Sequence, residues 1–126
     1  MKLQLNILEN HFMIHRFPAN YEIPNQVYES QFYSISKTDE ELSIICNSTT
    51  QINSEKSDTD WSCIKVEDPL DFSLTGILAK ISTVLAKAKI SIFVISTFDT
   101  DYILVKSEKL PFAERALLKS GYTFNY

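Results

Sequence analysis

The chain of 126 residues contains only two glycines, Gly76 and Gly121, where an average composition of about 7% would supply roughly nine. Backbone that depends on glycine is therefore scarce. A phosphate cradle of the form G-x-x-x-x-G-K-[ST] is excluded, as is a dinucleotide fingerprint G-x-G-x-x-G. A G-x-S-x-G nucleophile elbow is also missing. Collagen-like and Gly/Ser-linker readings fall for the same reason. Cysteine is equally sparse. Cys46 and Cys63 each lie inside an apolar, strand-like run, and they read as buried free thiols of a cytoplasmic protein. No apolar run approaches the roughly 18 residues of a membrane span. The N-terminal run Met1-Lys2-Leu3-Gln4-Leu5-Asn6 alternates and lacks the apolar stretch of a signal peptide. Basic charge is also in short supply. Residues 1–60 carry 4 basic and 9 acidic side chains, and residues 61–126 carry 8 and 7. Neither half has the basic footprint that nucleic-acid binding needs. Neither a nucleic acid nor a membrane is expected as a partner.

What is present is an ordinary globular balance, 44% hydrophobic and 22% charged, not the composition of disorder. A chain of this length can bury about two thirds of its unfolded surface, so it should fold without a metal or a disulfide. The clearest periodicity spans residues 74–88. Leu74, Ile77, Leu78, Ile81, Val84, Leu85 and Ala88 follow the i, i+3, i+4, i+7 spacing of an amphipathic helix. Lys80, Lys87 and Lys89 fall on its polar or flanking positions, and Ser73 or Asp71 is suited to cap its start. A second helix is predicted from Pro111 to Ser120. Proline suits its first turn, and Gly121 suits the left-handed position that ends it.

Strands are predicted at 62–67, 90–96, 101–106 and 122–126, the second of them as a central, covered strand. From residue 61 onward the order is β-α-β-β-α-β, a ferredoxin-like α+β arrangement with an antiparallel sheet and both helices on one face. Residues 1–60 read as a worn copy of this unit. Shifted by 60, Phe32–Asp39 overlays Ile92–Asp99, with Ile35/Ile95, Ser36/Ser96 and Asp39/Asp99 identical. Met13–Arg16 overlays Cys63–Val66 at an offset near 50. The missing ten residues are those of the first helix, and only a short piece near Asn25–Ser30 can be helical in its place. The polar stretch Asn47–Asp60 reads as a linker or a reduced second helix. The expected halves are thus 1–60, degenerate, and 61–126, complete.

Few residues suggest catalysis. His11 and His15 fall on a strand-like stretch, where i and i+4 stand about 13 Å apart, too far for one metal ion. Spatial neighbours could still make a Cys–His or Ser–His pair. Glu67, Asp68 and Asp71 cluster after one strand, and Asp99 and Asp101 flank a turn. Turn and cap chemistry explains them. They could instead form acidic rims around a cationic or zwitterionic ligand. A Mg²⁺ reading of Asp99-Thr100-Asp101 is less specific, because many turns look the same. The segment Asp68–Gly76 joins a strand to a helix N-terminus, whose N–H groups and dipole suit a carboxylate. Ser73 and Thr75 add hydroxyls there. Gly76, in the expected first turn, has a cost of about 1 kcal/mol relative to alanine, which suggests close approach by a backbone or by a ligand.

The runs Trp61–Ala79 and Ile90–Val105 together resemble an ACT domain, in particular small tandem-ACT proteins related to the eukaryotic cytosolic arginine sensor. The match is good over 61–121 and loose over 1–60. Asp68 departs from the glycine common at that point of the family. The resemblance implies regulatory, non-catalytic binding of a free amino acid or similar zwitterion, often between two ACT units. A homodimer is expected, and no cofactor. Carried over position by position, it implicates Phe72, Ser73, Leu74, Thr75 and Gly76 on one side. It implicates Ile95, Ser96, Thr97, Phe98 and Asp99 on the other. The ligand carboxylate would meet the N–H groups near Ser73–Gly76, and its ammonium would meet Asp99 or Asp71. The alternative is an ACT fold that only dimerises or docks on an enzyme.

Overall fold

The computed structural model describes residues 3–67 and 76–125. In chain order its main elements are β1 (Gln4–Ile7), β2 (Phe12–Phe17), β3 (Ser34–Lys37), β4 (Leu42–Asn47), β5 (Lys56–Val66), α1 (Ile77–Lys87), β6 (Phe93–Ser96), β7 (Asp101–Lys106), α2 (Leu110–Lys119) and β8 (Thr123–Asn125). These form two compact units. One combines the N-terminal segment up to Glu9 with the chain from Ser62 onward, and the other is Asn10–Trp61. We call them the composite unit and the inserted unit. The halves read from the sequence, 1–60 and 61–126, differ from this division at the N-terminus, because β1 pairs with strands from the far end of the chain.

In the composite unit the strands lie in the order β6-β7-β5-β1-β8. β1 runs antiparallel to β5, with Leu5 opposite Val66, and parallel to β8, with Leu5 opposite Phe124. The β1–β8 pair is the parallel one in a sheet otherwise expected to be antiparallel. Residues of one pleat face, including Leu5, Ile64, Val66, Ile103 and Val105, join Ile81 and Leu85 of α1 and Ala113 and Leu117 of α2 in a single core. Both helices therefore cover the same face of the sheet, as the β-α-β-β-α-β order requires. No helix among the described residues is long and apolar enough to cross a membrane.

The helix expected from Leu74 begins at Ile77. Gly76 holds the N-cap position, with φ +80° and no side chain to cap, while Ser73 and Asp71, suggested as caps by the sequence, lie outside the described residues. A Cβ built on Gly76 would meet nothing within 4 Å. Among the described residues nothing approaches it closely, and the left-handed backbone alone accounts for a glycine here. Both helix ends close by the same device. After α2, Gly121 (φ +100°) and Tyr122 donate to the carbonyls of Leu118 and Leu117 at 3.0 and 3.1 Å. After α1, Lys89 (φ +61°) and Ile90 donate to Ala86 and Leu85 at 2.9 and 3.0 Å. This is the paired Schellman bonding that normally calls for glycine. Because Ile90 belongs to this cap, the strand expected over 90–96 shortens to β6. Nor is β6 central. Among the described strands it pairs with β7 alone, and Phe93 stays partly exposed.

The inserted unit repeats the order in reduced form. A 3-10 turn at Asn25–Glu29 stands where a first helix would be, and irregular chain after β4 replaces the second. The strands lie β3-β4-β2-β5 around Phe17, Val27, Leu42, Ile44 and Cys46. The polar stretch that reads as a linker or a reduced second helix is strand from Lys56 onward. Those residues pair with β2 through their backbone, with Ile14 opposite Asp58. Where Phe12 faces Trp61, one extra residue enters β5, and Asp60 takes φ +61°, a bulge position at which glycine is usual.

The β3–β4 and β6–β7 hairpins share one turn. Thr38 N–H donates to Glu41 C=O at 2.9 Å, and Thr97 N–H donates to Thr100 C=O at 2.8 Å. In each, the threonine hydroxyl also accepts from a turn N–H, from Glu41 at 3.1 Å or from Thr100 at 3.2 Å. The equivalent positions are 59 residues apart, not 60, so the three identities read at an offset of 60 fall one residue out of register. β4 and β7 then superpose residue for residue, with the same alternation of burial.

Two predictions follow from the backbone and the core. Lys89→Gly should raise the urea midpoint, by about 0.5–1 kcal/mol of stability, whereas Gly76→Ala should cost about 1–2 kcal/mol, because the left-handed region penalises a Cβ. Leu5 is fully buried, so Leu5→Ala should destabilise by about 2–5 kcal/mol in the same measurement, although it lies only five residues from the start.

Candidate functional site

Five of the expected ligand residues are consecutive in the structure. Ile95 and Ser96 end β6, and Thr97, Phe98 and Asp99 make the turn into β7. The strand ladder sets Ile95 opposite Tyr102 and Ser96 opposite Asp101. Ser96 Oγ donates to Asp101 Oδ1 at 2.5 Å. Thr97 Oγ1 donates to Thr100 C=O at 3.0 Å and accepts from Thr100 N–H. Both hydroxyls are thus engaged in holding the hairpin. Phe98 is 83% exposed. Asp99 is exposed and makes no hydrogen bond or ion pair with another described residue.

The two acidic residues flanking the turn therefore differ in kind. Asp101 is 8% exposed and fastened to Ser96 across the strands. Asp99 projects from the turn and is the carboxylate free to meet a cation. The sequence shows two acids two residues apart, and only the pleat and the turn separate their roles. Asp101, read from the sequence as turn chemistry or as one of the carboxylates that could rim a ligand, is bonded across the strands to Ser96. The signal that could have found its structural role is the first position of a strand whose third to fifth residues are all apolar.

On the other side, Gly76 stands at the N-terminus of α1. The first turn of this helix carries no acidic residue and no side-chain cap from Gly76. Asp71, Phe72, Ser73, Leu74 and Thr75 lie outside the described residues.

A shallow groove of about 380 Å³ is lined by Ala79, Lys80, Thr83, Val84, Ser120 and Tyr122. None of these is an expected site residue. Burial pushes the Tyr122 hydroxyl pKa up.

The residues that could serve nucleophilic chemistry sit in cores. Burial pushes the Cys63 thiol up to about 12, which leaves it protonated at neutral pH. The Cys46 thiol is also raised by burial, with a hydrogen bond from Thr50 acting the other way. His15 makes the Ser–His contact left open by the sequence, with Nδ1 2.9 Å from Ser54 Oγ. It is 2% exposed and lies within the inserted unit. Burial lowers its pKa. His11 is exposed. Among the described residues no group of three or more His, Cys, Asp or Glu side chains is arranged to hold a metal ion.

Comparison with known proteins bears on the fold. The ACT domain family model matches residues 56–119. A separate model of an N-terminal domain matches residues 10–54, close to the limits of the inserted unit. No functionally curated protein matches the chain. A crystal structure of a protein from Agobacterium tumefaciens is 35% identical, with 99% of this chain and 93% of that one covered and a TM-score of 0.92. A Vibrio cholerae protein of unknown function is 19% identical, with coverages of 94% and 89% and a TM-score of 0.72. The ligand-free regulatory subunit of aspartate kinase from Thermus thermophilus is 11% identical, with coverages of 93% and 97% and a TM-score of 0.65. The last two are likenesses of fold alone. With the family model spanning half the sequence and the two helices packed on one face of the sheet, this chain belongs to the ACT domain family.

Proposed function

We propose that this chain is a non-catalytic regulatory protein of the cytoplasm that binds a free amino acid or a similar zwitterion. The observation that carries the reading is the fold likeness, over nearly the whole of both chains, to a regulatory subunit of aspartate kinase. The hairpin adds chemical support. Asp99 offers an exposed carboxylate to an ammonium group, and the start of α1 offers N–H groups to a carboxylate. In the same hairpin Phe98 is exposed and Ile95 partly so, which adds apolar surface. Asp71 and the run Phe72–Thr75 complete the proposed set. The proposed assembly is a homodimer, with β6 as a sheet edge. Kinship with the small tandem-ACT proteins related to the eukaryotic cytosolic arginine sensor is part of the same proposal, and it rests on the runs Trp61–Ala79 and Ile90–Val105.

The second reading is an ACT fold that dimerises or docks without a ligand. It is favoured by the edge of β6, which pairs only with β7 among the described strands. A thermal-shift screen of the twenty amino acids separates the two. A ligand at 100 times its Kd stabilises by about 2.7 kcal/mol, roughly 10 °C at this chain length. No shift with any of them at millimolar concentration would sink the amino-acid reading. Given a ligand that shifts the melting point, Asp99→Ala should abolish the shift. It should leave the free protein's stability within about 0.5 kcal/mol, as expected for an exposed side chain.

A further inference from the structure

The inserted unit has no second helix to close its core. The segment between β4 and β5, residues 48–55, covers it as irregular chain. Ile52 of this segment packs against the buried cluster of Phe17, Val27, Leu42, Ile44 and Cys46. Backbone bonds tie the segment's ends, from Ser48 N–H to His11 C=O at 2.9 Å and from Glu55 N–H to Arg16 C=O at 3.1 Å. Two side-chain contacts tie it to the central strand, the bond between Ser54 Oγ and His15 Nδ1 and the ion pair between Glu55 and Arg16. We propose that His15 and Ser54 form a proton-sensitive latch, and that protonation of His15 releases segment 48–55 from the core of the inserted unit.

The reason lies in the two ring nitrogens. A neutral imidazole is a donor at one and an acceptor at the other, so it can bond Ser54 through Nδ1 and leave Nε2 without a proton. An imidazolium carries N–H at both. Nε2 is buried and has no hydrogen-bond partner among the described residues. Its second N–H, and the charge with it, would be confined without an acceptor, a costly arrangement in a core.

No neighbouring charge offsets this. On β4 the residue opposite His15 is Ile44, and the titratable group near it is the buried thiol of Cys46. On β5 the residue opposite is Ser57, flanked by Lys56 and Asp58, both exposed and paired in register with Arg16 and Ile14. Arg16, next to His15 on β2, forms an ion pair with Glu55 of the segment. On its own strand the ring nearest to His15 is Phe17, 6.3 Å between centroids.

The sign is that of a base whose folded pKa lies below its unfolded value of 6.5. The closed segment is fully stabilised above pH 6.5. That stabilisation is lost as pH falls toward the lower, folded-state value. Amide hydrogen exchange over residues 48–55, corrected for intrinsic rates, tests this at about pH 7.5 and about pH 5. In the unmodified chain and in His11→Gln, protection of the segment should fall by about tenfold for each unit by which the folded pKa lies under 6.5. Protection of α1 should stay constant. In His15→Gln the segment should show one protection at both values. Equal protection at both in the unmodified chain, a loss that survives in His15→Gln, or a loss spread evenly over the whole chain would each overturn the latch. If His15→Gln does not fold, ring titration of His15 by NMR decides. The latch requires the ring and the amides of 48–55 to titrate together, and independent titration would refute it.

Discussion

The composite unit depends on the seating of β1 between β5 and β8. Both edges of this four-residue strand are used, one antiparallel and one parallel. β8, three residues long, pairs with β1 alone among the described strands. The C-terminal end of the sheet therefore cannot form its ladder until the N-terminal end of the chain is in place. Leu5 and Val66, opposite each other, are separated by about 60 residues. By the loop-closure relation that separation costs roughly 3.5 kcal/mol in chain entropy. The residues in between are those of the inserted unit, which has its own core. A core formed there first would remove much of the loop's freedom before β1 and β5 meet.

The second constraint is the shortage of glycine. The fold needs left-handed backbone at the N-cap of α1, at both helix C-termini and at the bulge in β5. Two of these four positions have glycine, and Asp60 and Lys89 serve at the others. Aspartate tolerates this region through local hydrogen bonding of its short side chain, whereas lysine has no such relief. The bonding after Lys89 matches that after Gly121, so the Schellman cap at α1 persists despite the side chain. The buried Ile90 that follows, packed in the core, supplies the apolar contact that holds the cap in place.

What could be read from the sequence follows the presence of apolar periodicity. α1 and α2 were legible because their buried faces repeat at 3.6 residues, β7 because its apolar run Ile103–Val105 follows a turn, and the 3-10 turn near Asn25 was legible from the missing length. β5 was half legible. Cys63, Ile64 and Val66 are apolar, but Lys56 to Asp60 are all polar and exposed. They enter a sheet through backbone bonds, which leave no mark on composition. β1 alternates visibly, yet nothing in a local pattern says which strand it joins. β6 looked central because five of the seven residues 90–96 are large and apolar. Three of the seven belong to a helix cap and its exit. The hairpin half of the candidate site was legible as a continuous stretch, but the division of labour between Asp99 and Asp101 was not, since it depends on which residue ends the turn.

The shared turn bears on how many ligands such a chain would hold. Because Thr38 and Thr97 make the same bonds in the two hairpins, the threonine is part of the turn itself. The hairpins differ just outside it. Where the composite unit sets Ser96 opposite Asp101, the inserted unit sets Lys37 opposite Leu42. The buried carboxylate and its hydroxyl partner thus have, in the other unit, a lysine and a leucine that is 1% exposed. Asp99 corresponds in this register to Glu40, whose backbone carbonyl accepts from Arg16 at 3.3 Å. The polar framework beneath the proposed ammonium-binding carboxylate therefore exists once per chain. The inserted unit keeps an exposed carboxylate at the matching position, Glu40, but among its described residues it has neither the hydroxyl–carboxylate pair across the strands nor a helix N-terminus equivalent to that of α1. On this reading a second site of the same kind requires a second chain, which makes one ligand per protomer the stoichiometry that the geometry favours.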